Sequence, residues 1–348
     1  MAEIKNNQRI IAFDVLRIIA AFAVVWLHTS AQRFEDCFPS NEWMVMNVYD
    51  SMVRWSVPVF IMISGAIFLD PSRKMDIKKL YTKNVTRIVL IFFFWSIVYA
   101  IYEGIGEDGI AGFVSDIIKG PYHFWFLRML IGLYIVVPIL RMIVTDKKIG
   151  LYFIILAIVT AFCIPMLFPV ISRFHADTGE FFKNYYNSFE IKIATGYVGY
   201  FVLGYYLCIN NLRHFQKYML YFLGVVSVII VSILTFFVSK EANAPSEEYY
   251  NYLNIFTFLE ATALFVFIKE IKIPTKYHPL LIKVSKMTLG IYIIHILVLE
   301  IADDIFGINT TTFDPLFSIP CFSCLIFVIS CGIVLFLYKI PFLRKMVI

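Results

Sequence analysis

Residues 149–171 read IGLYFIILAIVTAFCIPMLFPVI, a run of 23 residues without a charged side chain. An α-helix rises about 1.5 Å per residue, so a run of this length can cross the roughly 30 Å hydrocarbon core of a bilayer. Three further uncharged runs have the same property: residues 193–212, 218–239 and 315–338. We therefore expect a chain that crosses a membrane several times.

The composition of the whole chain agrees with this expectation. Of the 348 residues, 60% are hydrophobic and only 16% are charged, whereas soluble domains usually carry about 25% charged residues. These values exclude a soluble globular protein, a disordered chain, a collagen, a disulfide scaffold and a nucleic-acid-binding module. Apolar runs with one or a few polar residues complete the pattern: residues 10–32, 55–69, 88–102, 121–140, 249–268 and 287–302.

The sequence therefore predicts an all-α polytopic membrane protein with about ten transmembrane helices. The helices are expected to form a single domain over residues 1–348, with no separate soluble domain. Because the run at residues 55–69 is short for a span, we expect its helix to begin earlier, near Trp43 or Val48. Asp50 and Arg54 would then face protein rather than lipid.

The distribution of basic residues predicts the orientation. The formal net charge is +5, and Lys and Arg concentrate in the cytoplasmic loops of membrane proteins. Placing the N-terminus in the cytoplasm puts most of the 30 Lys and Arg residues on the inner side, at Lys5, Arg9 and Arg17 and in residues 73–87, 141–148, 213–217, 269–286 and 339–345. The opposite segments are acid-rich, so we expect both termini to be cytoplasmic.

The first apolar run carries three ionisable residues, Asp14, Arg17 and His28. Such residues are costly within a membrane unless they are paired or face a polar cavity. Arg17 and His28 are eleven residues apart, which in a helix is about three turns plus roughly 20°, or about 16 Å along the axis. Both would lie on one helix face, with Asp14 one turn before Arg17. The alternative interpretation is an ion pair and a hydrogen-bonded histidine without a catalytic role.

A second basic group precedes the run at residues 88–102. Residues four apart share a helix face, so Lys83 and Arg87 can hold one anion together. The alternative is an ordinary cytoplasmic flank, which explains residues 73–79 well. It explains Arg87 less well, because the apolar run begins directly after it, at Ile88.

Further polar residues lie in or beside other runs. His123 and Arg128 belong to one short segment, HFWFLR, and Glu260 lies in the middle of a run. Pairing of Glu260 with Arg128 or Arg54 is expected, and its role is either structural or catalytic. His295 either joins two helices through a hydrogen bond or belongs to a site.

No metal site is expected. Cys321 and Cys324 form a C-x-x-C pattern, but it lies in an uncharged stretch without a second cysteine pair.

These residues and their surroundings resemble the acyltransferase 3 family of bacterial integral-membrane acyltransferases. The resemblance covers nearly the whole chain. Each motif is loose by itself, but their combination and order are specific. The motifs are FDVLR at residues 13–17 followed by His28, VPVFIMISG at 57–65, the Lys83 and Arg87 pair, FWFL at 124–127 with GLY at 132–134, and TLGIY at 288–292 followed by His295.

The resemblance implies transfer of an acyl group, commonly acetyl from acetyl-CoA, to a hydroxyl of a cell-envelope glycan or lipid-linked sugar. The most similar member type is the stand-alone form that modifies surface polysaccharides by O-acetylation in the bacterial inner membrane. It implies that Arg17, Lys83 and Arg87 bind the acyl-CoA donor, and we expect the three residues to form one basic pocket on the cytoplasmic side. His28 would be the catalytic residue, as a general base or as an acyl carrier.

Six further residues are supporting candidates in this interpretation: Asp14, Ser64, His123, Arg128, Glu260 and His295. The family usually has arginine at both ends of the motif that begins with Lys83. Lysine retains the charge but loses the bidentate geometry of arginine. No family role is transferred to Arg128.

Two functions from other classes stay open from the residues alone. A transporter or flippase of sugars or lipid-linked oligosaccharides also needs many helices and buried charges. The lack of visible inverted repeats and the shared face of Arg17 and His28 favour the enzyme. The other alternative is a sensor or scaffold that has lost acyltransferase chemistry. Expected partners are acyl-CoA, a glycan or lipid-linked sugar and membrane lipid, without nucleic acid.

Overall fold

The computed structural model describes residues 10–104, 109–190 and 196–347, and every regular element among them is helical. The α-helices are α1 (Ile11–Ala31), α2 (Asn41–Ser51), α3 (Ser56–Phe68), α4 (Ile77–Lys79), α5 (Thr86–Glu103), α6 (Gly109–Lys119), α7 (Trp125–Thr145), α8 (Lys147–Ala157), α9 (Ile164–Phe174), α10 (Ala176–Asn187), α11 (Val198–Ile209), α12 (His214–Ala242), α13 (Ile255–Glu270), α14 (His278–Ser285), α15 (Thr288–Asp304), α16 (Pro315–Tyr338) and α17 (Pro341–Val347). Two π-helical segments, Leu80–Val85 and Ile158–Cys163, connect α4 to α5 and α8 to α9.

Eight helical segments among the described residues are long and apolar enough to cross a membrane. They are Ile11–Ala31, Asn41–Phe68, Ile77–Glu103, Tyr122–Thr145, Lys147–Phe174, His214–Ala242, Glu248–Glu270 and Pro315–Tyr338. Each overlaps one of the predicted runs over most of that run's length. The all-α polytopic membrane class is therefore confirmed.

The remaining two predicted runs differ from simple spans. Residues 287–302 lie in α15, which meets this test only together with Thr275–Ser285, and the two parts are bent by 54°. The run at residues 193–212 begins outside the described residues, and its described helix, α11, has only 12 residues. A helix of that length extends about 18 Å, which is less than the bilayer core. The count of ten spans stays a prediction.

The early start predicted for the helix at residues 55–69 is confirmed. The segment Asn41–Phe68 is continuous enough to form one span, and Ser40 caps its start by accepting a hydrogen bond from the Trp43 backbone at 3.1 Å. Asp50 and Arg54 are buried and form an ion pair, with 2.5 Å between Oδ1 and Nε. Both side chains therefore face protein, as a charge within a membrane requires.

Small residues hold α3 and α11 in very close contact. A side chain at Gly65 would collide with the carbonyl oxygen of Phe201, and one at Gly204 would collide with that of Met62. Glycine allows two backbones to approach in this way. The contact fixes α3, which carries Ser64, inside the bundle.

Helix α1 lies at the centre of the bundle, packed against α2, α3, α13, α14, α15 and α16. Its polar residues therefore face other helices. Which end of the bundle faces the cytoplasm stays a prediction, and Lys5 and Arg9 lie outside the described residues.

Candidate active site

One end of α1 opens into a polar cavity of about 550 Å³, which we call the acidic cavity. Its lining residues are Leu27, His28, Ala31, Gln32, Arg54, Tyr122, Trp125, Glu247, Tyr252, Ile296, Leu299, Glu300, Asp303 and Asp304. His28 is the one candidate catalytic residue from the sequence that lines it. A cavity of this size accepts a small molecule or one or two sugar rings.

Three histidines from different parts of the chain meet beside this cavity. The ring centroid of His28 lies 5.2 Å from that of His295 and 6.4 Å from that of His123, and the His123 and His295 centroids are 5.6 Å apart. We call these residues the histidine cluster. His123 and His295 are almost fully buried, whereas His28 is partly exposed to the cavity.

Backbone carbonyls fix the rings of the two buried histidines. His295 donates from Nδ1 to the Tyr292 carbonyl at 2.6 Å, and His123 donates from Nε2 to the Ile293 carbonyl at 3.4 Å. A carbonyl oxygen can only accept, so these nitrogens carry the protons. The other nitrogens, Nε2 of His295 and Nδ1 of His123, are buried without a hydrogen-bond partner among the described residues.

Tyr122 contacts the third histidine. Its hydroxyl lies 3.3 Å from Nδ1 of His28, and the two rings meet edge to face. When Nδ1 carries the ring proton and donates it to the Tyr122 oxygen, Nε2 of His28 is unprotonated and can act as a base. Among the described residues, no group of three His, Cys, Asp or Glu side chains is arranged to hold a metal ion.

A smaller pocket of about 190 Å³ lies nearer the other end of α1, and we call it the middle pocket. It is lined by Arg17, Phe60, Ser64, Ile67, Phe68, Phe126, Leu130, Tyr134, Thr288, Leu289 and Tyr292. Arg17 is held by Asp14, with 3.5 Å between Nη1 and Oδ1, and Asp14 also accepts a hydrogen bond from Ser285 at 2.6 Å.

Tyr292 lies between the middle pocket and the histidine cluster. Its ring contacts those of His123 and His295 at centroid distances of 5.7 and 6.1 Å, and its hydroxyl donates to the His123 carbonyl. The side chain of Tyr292 therefore separates the middle pocket, which contains Arg17, from the histidine cluster.

A third pocket, of about 270 Å³, adjoins the middle pocket and shares Ile67 and Phe68 with it. We call it the basic pocket. Its lining residues are Ile67, Phe68, Arg73, Lys74, Met75, Asp76, Lys79, Leu80, Lys83, Asn84 and Arg141. Arg141 holds the pocket together, because its two terminal nitrogens donate to the carbonyls of Phe68 at 2.9 Å and Arg73 at 2.8 Å.

A protein-family model described as an acyltransferase domain matches residues 10–337. The chain belongs to the acyltransferase 3 family. It is therefore a membrane acyltransferase, which has an acyl donor and an acceptor. Neither a curated protein nor a solved structure matches the chain.

The three donor-binding candidates of this acyltransferase do not form the single pocket that we expected. Arg17 lines the middle pocket and Lys83 the basic pocket, while Arg87 lies close enough to act electrostatically on Tyr134 of the middle pocket. Lys83 lies in the π-helical segment and Arg87 in α5. A π-helix bonds residues five apart, so the four-residue alignment of a regular α-helix does not hold here.

The expected ion pairs of Glu260 are absent among the described residues. Neither carboxylate oxygen of this buried residue has a hydrogen-bond partner there. Arg54 binds Asp50 instead. Arg128 donates to the Lys119 carbonyl and lies over the Phe92 ring. The pairing prediction was wrong because α13 directs Glu260 toward a groove of about 290 Å³ that is also lined by residues of α12.

The sequence assigned no role to three residues that matter to the geometry: Tyr122, Arg141 and Glu300, of which only Glu300 stood out as an ionisable residue within an apolar run. Tyr122 directly precedes the candidate residue His123. Arg141 follows an apolar run, where a basic residue is interpreted as marking the cytoplasmic end of a helix. Glu300 lies five residues after His295 in α15 and lines the acidic cavity. Only its position in an apolar run could have indicated a role.

Proposed function

We propose that the chain transfers an acyl group, of which acetyl is the expected one, from acyl-CoA to a hydroxyl of a cell-envelope glycan or lipid-linked sugar. The donor enters from the basic pocket, the acceptor occupies the acidic cavity, and the reaction takes place at His28. We place this activity in the bacterial inner membrane, in an enzyme of the stand-alone type that modifies surface polysaccharides. One observation carries the proposal: α1 presents Arg17 to the middle pocket and His28 to the acidic cavity.

The basic side suits a donor with several phosphates. The basic pocket has five cationic side chains, Arg73, Lys74, Lys79, Lys83 and Arg141, and one carboxylate, Asp76. Arginine and lysine bind phosphate through charge-assisted hydrogen bonds. The thioester of acyl-CoA is carried on a long flexible arm. When the phosphates are bound at the basic pocket, this arm can extend past Arg17 and Tyr292 toward His28.

The acidic cavity supplies the base. The acceptor hydroxyl oxygen attacks the thioester carbonyl carbon, and Nε2 of His28 takes the hydroxyl proton at the same time. The C–S bond then breaks, and the CoA thiolate takes the proton from the His28 imidazolium, so the enzyme returns to its starting state. In the alternative sequence, Nε2 of His28 attacks the thioester carbonyl, the C–S bond breaks and CoA leaves as the thiolate. The acceptor hydroxyl then attacks the acyl-imidazole, the C–N bond breaks, and the hydroxyl proton goes to the thiolate, so that His28 is regenerated.

The neighbours of His28 support either sequence by orientation. Tyr122 occupies Nδ1, which fixes the ring with Nε2 available. The rings of His123 and His295, held by backbone carbonyls, restrict the position of His28 from the protein side.

The proposal is tested with purified protein in lipid nanodiscs, with acetyl-CoA as the donor and glycans extracted from bacterial envelopes as acceptors. Release of free CoA thiol and acetylation of the glycan are measured together. His28→Ala should bind acetyl-CoA but lose at least ~10²-fold in the rate of transfer, because general-base help contributes about that much or more. His175→Ala is the matched control, because His175 is exposed between α9 and α10.

Wild-type transfer by the His28→Ala protein would refute the assignment of His28, and His295 would be the next residue to test. Absence of acyl-CoA turnover with every acceptor would refute the proposed donor. Incubation with radiolabelled acetyl-CoA without an acceptor separates the two reaction sequences, since only the acyl-histidine sequence leaves label on the protein.

A further inference from the structure

The acidic cavity has a strong excess of negative charge. Glu247, Glu300, Asp303 and Asp304 line it, and Arg54 is the one Arg or Lys among its lining residues. Arg54 is bound to Asp50, just outside the lining, at 2.5 Å. The cation of the cavity is therefore already neutralised by a carboxylate behind it.

The four carboxylates differ in how they are held. Asp303 accepts from Arg33 at 2.6 Å, and Asp304 accepts from the Tyr102 hydroxyl at 2.9 Å. Oε2 of Glu300 is buried and has no hydrogen-bond partner among the described residues. No donor in the described part of the chain therefore offsets a negative charge on Glu300, which lines the cavity.

Aromatic rings form another part of the wall. Trp125 stacks on Tyr252, with ring centroids 5.6 Å apart and an interplanar angle of 29°, and both rings line the cavity together with Tyr122. An aromatic face is electron-rich and attracts the positively polarised C–H groups of a ring packed on it. Aromatic faces with surrounding carboxylates suit a sugar ring, which has C–H faces and hydroxyl edges.

We infer that the acceptor sugar in the acidic cavity is a neutral sugar or an amino sugar, without a carboxylate, phosphate or sulfate on the reacting ring. Glu300 and Asp304 are the residues that impose this selection. The inference rests on the proposed function, since it specifies the acceptor class of the same site. A negative group on the reacting ring would meet several carboxylates and no unoccupied cation, and like charges placed together disfavour binding strongly.

The experiment measures binding of three probes that share one ring: methyl glucoside, methyl glucosaminide and methyl glucuronide. The full chain is placed in nanodiscs of zwitterionic lipid, so that the membrane itself repels no probe, and dissociation constants are obtained by saturation-transfer NMR at low salt. The neutral and amino probes should bind at least ~10-fold more tightly than the glucuronide, as expected for like charges about 5 Å apart in a partly screened site.

The double variant Glu300→Gln and Asp304→Asn should reduce this preference to less than about threefold, because amides keep the hydrogen-bonding shape and remove the charge. Glu241→Gln is the matched control. It changes the net charge in an exposed position near the end of α12 and outside the cavity lining, so the preference should stay.

Equal or tighter binding of the glucuronide by the wild-type protein would overturn the inference, and so would failure of all three probes to bind. Release of CoA thiol is measured separately on the same samples. Its absence together with the expected binding order would refute acyl-CoA transfer and leave the charge selection standing. Release of CoA thiol together with a reversed binding order would refute the charge selection and leave acyl-CoA transfer standing.

Discussion

The basic pocket and the acidic cavity are both polar regions of a protein with very few charges, yet they are opposite in sign. Five cations line the basic pocket, and four carboxylates line the acidic cavity. Arg17 and His28, on one face of α1, lie between these extremes. The difference supports the proposed function, in which two reactants of different charge approach one helix from its two ends.

The two regions also differ in how their charges are satisfied. Arg54 of the acidic cavity is buried and paired with the buried Asp50, whereas Lys79 and Lys83 of the basic pocket are exposed. A buried pair cannot lose one member without leaving the other charge stranded. Loss of Arg54 should therefore affect folding, whereas loss of a cation from the basic pocket should affect donor binding.

The largest expected effect is on stability. Arg54→Ala should lower the free energy of unfolding by about 3–5 kcal/mol, because the Asp50 carboxylate is left buried without its partner. Lys79→Ala, the control from the basic pocket, should change it by less than about 1 kcal/mol, as expected for an exposed charge. Thermal unfolding in detergent measures both. Equal effects would show that burial does not distinguish the two regions.

Glu260 lies outside the basic pocket and the acidic cavity. A variant of Glu260 therefore tests whether these two regions are sufficient for the reaction. Its carboxylate is buried without a hydrogen-bond partner among the described residues, so Glu260→Met should raise the free energy of unfolding by about 1–3 kcal/mol. Transfer activity should stay at the wild-type level. Loss of activity in the folded variant would mean that a third polar site takes part in the reaction.

Arg141→Ala should raise the KM for acyl-CoA about tenfold, because hydrogen bonds of a charged group that shapes a site contribute about 1.5–3 kcal/mol. The kcat should change little, since Arg141 lines the basic pocket and not the acidic cavity. Lys272→Ala is the control, an exposed cation in the segment between α13 and α14. If kcat fell and KM stayed constant, the assignment of the basic pocket to the donor would be wrong.

The smallest expected effect comes from Lys83→Arg. Arginine restores the bidentate geometry that the family motif usually has, so the KM for acyl-CoA should fall about two- to threefold. Steady-state kinetics with Arg87→Ala as the comparison measure this, since that variant should raise the same KM. An increase in KM with arginine would indicate that the π-helical turn leaves no space for a guanidinium.

Hydropathy was sufficient for the class of fold and for most helices. Most apolar runs are long, so their helices were expected from length alone. The early start before residue 55 followed from the shortness of the run at residues 55–69, with Asp50 and Arg54 turned toward protein. The exceptions are α11 and the bent pair of α14 and α15. Their geometry depends on tertiary packing, such as the contact of Gly204 with Met62, which hydropathy does not contain.

The candidate site was predicted in part. Helix geometry placed Arg17 and His28 on one face of α1, but the two residues line separate pockets and not one common cavity. The histidine cluster depends on contacts between α1, the short 3-10 helix Tyr122–Phe124 before α7, and α15. These segments are far apart in sequence, so His123 and His295 could be suspected individually but not joined. The π-helical turn at Lys83 was invisible because its residues have ordinary helix-forming sequence.

The most direct test of two reactants meeting at His28 is a sidedness measurement. Sealed proteoliposomes are prepared, and the protein's orientation is determined by labelling a Lys240→Cys variant from outside. In separate experiments, acyl-CoA and the acceptor are then supplied on the same side of the membrane or on opposite sides. Transfer should occur only when acyl-CoA is on the side of the basic pocket and the acceptor is on the side of the acidic cavity. Equal transfer with both reactants on one side would contradict the account.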